Sequence, residues 1–293
     1  LVGSEMCIRD RIFNSVLAIV ALFNMFTVVE QVKVTAEIQY SRFLELYTFV
    51  SSIEFLMLMF IMPALTASSI SGERERQTLE LMLTTTMKPK EIILGKFWSA
   101  LTTMLILAIS ALPVQSLVFV YGGITIADMM ILFLCYGIVA LFTGGIGMFY
   151  SSLLKRSTVA TVCTYVTIVL LVAGTYAINV FTYRLDANEV NSYVSVLNTA
   201  ARQASSGGFI YLLLLNPALT FYSVINGQAG AGDIRKPFEQ WFGALPDNYI
   251  MDHWSAVSLS VQLILAIILI AISIYAVPPV SYTHLRAHET LRH

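Results

Sequence analysis

The sequence predicts an all-α polytopic membrane protein with six transmembrane helices, and three observations predict it. Hydrophobic residues make up 57% of the 293 positions and charged residues only 12%. A soluble domain carries about 25% charged residues, so a water-soluble fold would have too little polar surface to cover this chain. The charges cluster in a few places between long apolar runs. A bilayer core about 30 Å thick calls for roughly 20 apolar residues in helical form, and six segments reach or approach that length: 12–29, 48–70, 97–121, 129–152, 158–180 and 255–277.

Five of these six segments contain no Asp, Glu, Lys or Arg; the exception is Glu54 in the second. An acid within a span is a candidate substrate or proton site. Its place toward one end of the run favours the plainer expectation that its carboxylate reaches the lipid headgroups. Pro63 and Pro113 fall inside spans, where neighbouring helices and Ser/Thr side chains tolerate the broken ladder. Cys135 and Cys163 lie in apolar runs and read as small hydrophobes, with no disulfide framework and no metal site.

Both ends stand apart from this pattern. Residues 1–11 (LVGSEMCIRDR) and 278–293 resemble translated sequencing-adapter read-through, and the natural chain is expected to continue beyond them. Three of the four histidines, His284, His288 and His293, fall in the closing stretch, so their spacing is not a metal signal. His253, beside Asp252 and Trp254, reads as interfacial.

The basic residues set the orientation. Outside the end segments there are 13 Lys and Arg, of which five lie in 71–96 and two at Lys155 and Arg156. The far longer connections 30–47, 122–128 and 181–254 carry only six between them. Excess Lys and Arg mark cytoplasmic loops, which places 71–96, 153–157 and both termini inside and 181–254 outside. Within that outer segment, residues 187–205 place Val190, Val194, Leu197 and Ala201 at helical spacing, predicting an amphipathic surface helix that Gly207-Gly208 ends. The apolar stretch that follows is broken at Asn216-Pro217, and each half is too short to span, so a re-entrant or interfacial hairpin is preferred to a seventh crossing. Residues 227–254 read as loop, with Trp241, Tyr249 and Trp254 forming an aromatic belt.

The most informative connection is 71–97. Glu73, Arg74, Glu75 and Arg76 lead into Leu79, Met82 and Leu83 at helical spacing, giving one apolar edge on a charged helix. Three threonines weaken that helix, and Pro89 with Glu91 starts another that runs into the third span. A cytosolic helix, a break and a second helix, fused at each end to a span, would pass a push straight to both. Composition alone favours a solvated connecting helix on the headgroups, because amphipathic connections are common.

The wording of this stretch is more specific. Gly72, Glu73, Glu75, Thr78, Leu79, Glu80, Leu83 and Thr84, then Pro89, Glu91, Gly95 and Lys96, resemble the coupling region of type-2 ABC exporter permeases. The resemblance is strong over 48–97 and looser over 12–277, and Asn216-Pro217-Ala218 is similar to the same family. It implies a permease that pairs with a second copy or a related permease and binds two nucleotide-binding ATPase subunits. It further implies a multi-pass protein of the bacterial cytoplasmic membrane, in contact with lipid and not with nucleic acid. Glu73, Arg74, Glu75, Arg76, Thr78, Glu80 and Leu83 carry over as the ATPase contact surface. The chain departs from the family in showing no amphipathic helix before its first span, which is read as truncation at that end.

No G-x-x-x-x-G-K-[ST] loop occurs, so the chain is expected to hold no cofactor, ATP and Mg²⁺ being bound by the partner ATPase. Gly144, Gly147 and Ser151 supply small residues at a spacing that lets helix backbones approach, within the chain or at a dimer contact. An ion-driven carrier or channel is the rival reading; it calls for ionisable groups deep in the spans or matched broken helices. An intramembrane enzyme needs a nucleophile with a base, or paired acids, within the bilayer. The transported substrate is not legible.

Overall fold

A computed structural model describes residues 40–79, 89–121, 124–197, 203–229 and 234–277, together with Ile19 and Phe26. Every regular element among them is helical. In chain order these are α1 (Tyr40–Ala67), α2 (Ser71–Glu75), α3 (Pro89–Tyr121), α4 (Ile126–Leu153) and α5 (Ser157–Val169). A π-helical turn (Leu170–Gly174), α6 (Thr175–Leu197), a 3₁₀ helix (Gly207–Leu215), α7 (Pro217–Ala229), α8 (Arg235–Phe242), α9 (Tyr249–Asp252) and α10 (Trp254–Ala276) complete the order.

Five helical stretches are long and apolar enough to cross a membrane: Tyr47–Glu75, Pro89–Ile109, Ile126–Leu153, Ser157–Ser192 and Trp254–Ala276. They lie where five of the six expected spans were read; the sixth, 12–29, falls outside the described residues apart from Ile19 and Phe26. Their outward faces are apolar, with Leu105, Ile106 and Ile109 on α3 and Met130, Ile131 and Leu134 on α4 all exposed. Side chains of this kind are stable on a surface only when the solvent is hydrocarbon.

The chain divides into two units. One comprises residues up to Leu58, Met104–Val139 and Val169–Gln262. Its core gathers Ile210, Leu213, Leu214 and Leu219 with Phe238, Phe242, Met251 and Trp254. Here the aromatic belt expected over 227–254 gives way to packing: Phe238 meets Trp254 edge to face at 5.2 Å, and Trp254 is buried. The same residues form helices α8 and α9 where loop was expected, because burying Phe238 and Phe242 four residues apart requires a helical face. Tyr249 alone among the three aromatics remains fully outward, stacked on His253 at 4.3 Å.

The amphipathic surface helix expected over 187–205 is also different. Its first half is the far end of α6, which continues the fifth span without a break to Leu197, while 198–202 lie outside the described residues. Nothing at 181–186 stops that helix, since neither Gly nor Pro occurs there. Gly207 opens the 3₁₀ helix, at φ +61°, instead of closing the helix before it. Gly243 turns the chain at φ +80°, where a Cβ would stand 2.1 Å from the Ala204 carbonyl oxygen.

The second unit comprises Met59–Thr103, Ala140–Ile168 and residues from Leu263 onward. Its close packing is between α1 and α4. A Cβ on Gly144 would stand 2.5 Å from the Met62 methyl, and one on Gly147 would stand 2.1 Å from Thr66 Oγ1. At Gly147 the Ala67 backbone nitrogen, 3.1 Å from that Cβ position, cannot move aside, whereas at Gly144 the nearest atom is the tip of a flexible methionine.

Candidate functional site

The charged connection belongs to the second unit, and its geometry starts from the end of α1. After Ala67 the chain turns and re-enters a short helix, α2, at Ser71. The first N–H groups of a helix have no partner inside it, and here α4 supplies one. Ser151 Oγ accepts from the backbone N–H groups of Ile70 at 2.9 Å and Ser71 at 3.0 Å. Serine is short enough for its oxygen to be held at the helix axis, and Ser151 is wholly buried.

Four further contacts bind the connection to neighbouring helices. Lys96, two turns into α3, donates its ammonium to Glu73 Oε1 at 2.8 Å and to the Ser69 carbonyl at 2.9 Å. Arg74 donates to the Ser152 carbonyl, the last turn of α4, at 3.1 Å. Ser157, the first residue of α5, donates its hydroxyl to Glu75 Oε2 at 2.5 Å. Thr78 donates to the other oxygen of the Glu73 carboxylate and to the Glu73 carbonyl. The Lys96 ammonium and the Thr78 hydroxyl hold the Glu73 carboxyl below its usual range, and Ser157 does the same for Glu75.

The six-residue stretch Glu73–Thr78 therefore has two sides. Glu73, Arg74 and Thr78 are half-buried and face their own protein, whereas Glu75, Arg76 and Gln77 are exposed. Gln77 adopts φ +59°, a conformation uncommon outside glycine, which turns the chain sharply before the buried Leu79. Of the residues singled out in the sequence, Glu73, Arg74, Glu75, Arg76 and Thr78 are thus brought into one small patch. Glu80 and Leu83 lie outside the described residues. Lys96 and Ser157, which organise the patch, carried no role in the sequence reading. Only the Gly95-Lys96 wording hinted at the first.

The interrupted hairpin belongs to the first unit. The 3₁₀ helix and α7 meet at Asn216-Pro217 with a bend of 91°. Nine residues of 3₁₀ helix extend about 18 Å and thirteen of α-helix about 20 Å, each short of a bilayer. Asn216 serves both sides of the break: its Oδ1 accepts the N–H groups of Ala218 and Leu219, capping α7. Its Nδ2 donates to the Val172 carbonyl at 2.9 Å and to Thr175 Oγ1 at 3.0 Å. That carbonyl belongs to the π-helical turn, where the ordinary i to i−4 ladder is interrupted.

The family model for ABC-2 family transporter proteins matches residues 4–281. The chain belongs to the ABC-2 transporter family. No curated protein matches it. Membership makes this chain an ABC permease subunit, a multi-pass membrane protein of a kind that associates with an ABC ATPase subunit. The 71–79 patch follows α1 directly in the chain and is tied by side chains to α3, α4 and α5. Asn216 does the corresponding work in the first unit, tying a broken hairpin to the irregular turn beside α6.

Proposed function

We propose that this ABC-2 permease is the membrane-spanning half of an ATP-driven exporter, moved by a separate ATPase that grips the connection between α1 and α3. The reading is carried by one observation: the charged connection is braced to α3, α4 and α5 by Lys96–Glu73, Arg74–Ser152 and Ser157–Glu75 while Glu75, Arg76 and Gln77 stay open to the outside. A loose connection would absorb a push; a braced one transmits it. The ATPase supplies ATP and Mg²⁺, and the permease holds no cofactor of its own.

On this reading Glu75 and Arg76 with Glu80 and Leu83 meet the ATPase, while Glu73, Arg74 and Thr78 stiffen the lever from behind. The seven basic residues in 71–96 and 153–157 support a cytoplasmic side for that surface, with both termini on the same side, and the membrane on this reading is the bacterial inner membrane. Two permeases pair, as a homodimer or a heterodimer, to enclose the path. ATP-driven closure of the motor domains tilts the spans and releases substrate outward.

Purification of the full chain from membranes in mild detergent tests this. A Walker-motif ATPase is expected to accompany it. Arg76→Glu, or Glu75→Lys combined with Glu80→Lys, is expected to release that ATPase while leaving membrane insertion intact. Recovery of the permease with no ATPase, or retention of the ATPase by all these variants, refutes the coupling role.

A further inference from the structure

The first unit holds a buried polar group that the lever does not use. Glu54 lies seven residues inside the candidate span that starts at Tyr47, about 10 Å along the helix. It is 4% exposed, so the expected escape of its carboxylate to the headgroups does not occur. The depth of Glu54 on its own helix did not reveal that other helices cover it. Gln115 of α3, itself 2% exposed, donates its amide to Glu54 Oε2 at 2.7 Å.

What remains around that bond is an excess of acceptors. Glu54 Oε1 and Gln115 Oε1 have no hydrogen-bond partner among the described residues, whereas the hydroxyl of Ser51, one turn before Glu54 and wholly buried, is both donor and acceptor and lies beside the Tyr47 and Tyr136 hydroxyls. No Lys, Arg or His pairs with Glu54 among the described residues. The titratable groups that face it are Tyr47 on α1 and Tyr136 on α4, with Asp128 of α4 beyond Tyr47. None of them is a cation. Tyr136 already donates its hydroxyl to the Ser51 carbonyl, and Tyr47 donates to Gln228 of α7. Tyr136, which faces Glu54, also stacks on Phe221 at 6.2 Å, and Phe221 stacks in turn on Phe55 at 4.2 Å.

Buried polar atoms without partners are costly, and a carboxylate within a bilayer more so. A lone proton on Glu54 would supply one donor to this cluster. An ammonium supplies N–H donors for the two orphan oxygens, Glu54 Oε1 and Gln115 Oε1, with one left for the Ser51 hydroxyl oxygen, and its full positive charge matches Glu54 in sign.

We propose that Glu54, Gln115 and Ser51 form an intramembrane site for the ammonium end of an amphiphilic amine, the substrate class this permease moves. The assignment rests on the chain being the substrate-bearing half of a transporter, but it is tested without the ATPase. The full chain in phosphatidylcholine nanodiscs is titrated at pH 7.5 with dodecylamine and with its neutral N-acetyl derivative, following the shift in thermal unfolding. Wild type is expected to bind the amine about tenfold or more tightly than the amide, the scale of a hydrogen-bonded charge pair. Glu54→Gln keeps the shape, removes the charge and is expected to abolish the preference while staying folded. Gln115→Leu is expected to reduce it.

Equal affinity of wild type for the two probes overturns the proposal, as does a preference that survives in Glu54→Gln. A third result also overturns it: no amine preference, with unfolding temperature rising as pH falls in wild type and not in Glu54→Gln, which would make Glu54 a site for a proton only. Loss of the ATPase in the purification above leaves this titration unaffected, so the two failures are distinguishable.

Discussion

Single residues carry the closest tolerances in the molecule. Gly147 is a sharp case within a helix, because an added Cβ would stand 2.1 Å from Thr66 Oγ1 and 3.1 Å from the Ala67 backbone nitrogen. The second of these is main chain and cannot rotate away. Gly147→Ala is therefore expected to lower stability by about 1–3 kcal/mol, the range for overpacking a tight contact, read as an earlier unfolding transition in detergent. Gly72, with nothing within 4 Å of its Cβ position, should accept alanine with little change. The small-residue spacing of 144–151 was legible because it repeats on one helical face. The burial of Glu54 was not, because it depends on Gln115, which lies 61 positions away on another helix. Trp254 misled for the same reason: an aromatic near a span end reads as a belt residue until Phe238 is seen against it.

At the level of elements, the charge-free runs located the helices well, since a hydrocarbon solvent leaves the backbone few alternatives. The same signal said nothing of the π-helical turn at 170–174, which has no residue signature, or of the helices at 235–242 and 249–252, whose driving contacts are tertiary. The lever shows the limit in its plainest form. Its charged residues announced themselves, but Lys96 could be joined to Glu73 only once α3 and α2 were placed side by side. The Lys96–Glu73 pair is about 29% exposed on each side, so it is expected to add no more than about 1 kcal/mol. On the proposed coupling role its importance is in stiffness. Because the Glu73 carboxyl titrates below its unfolded value, the pair's contribution is complete above about pH 4.3, the ordinary glutamate value. It is lost as pH falls through the lower folded value. Lys96→Met should flatten that acid limb of the unfolding curve while lowering transport-coupled ATPase activity far more than stability. Equal loss of both would assign Lys96 to folding alone.

For the molecule as a whole, the family and the helical class were legible from one charged connection and five clean apolar runs, while the cargo was not, because no pattern of spacing encodes what a lipid-embedded surface carries. Sidedness is the property on which the mechanism turns. In a background with Cys7, Cys135 and Cys163 replaced by serine, a cysteine at Arg76 is expected to resist an impermeant maleimide in intact cells, and one at Asp247 to react. The opposite pattern would put the lever beyond the reach of any intracellular motor. The irregular turn at 170–174 has a consequence for comparing this permease with others of its kind. Each residue advances a helix by about 100°, so a relative with one residue fewer in that turn would close its ladder and withdraw the carbonyl that Asn216 uses. Chain length there and the residue at the hairpin break should therefore vary together across the family, so that an apparent gap in an alignment marks a change in the wiring between two distant parts of the chain.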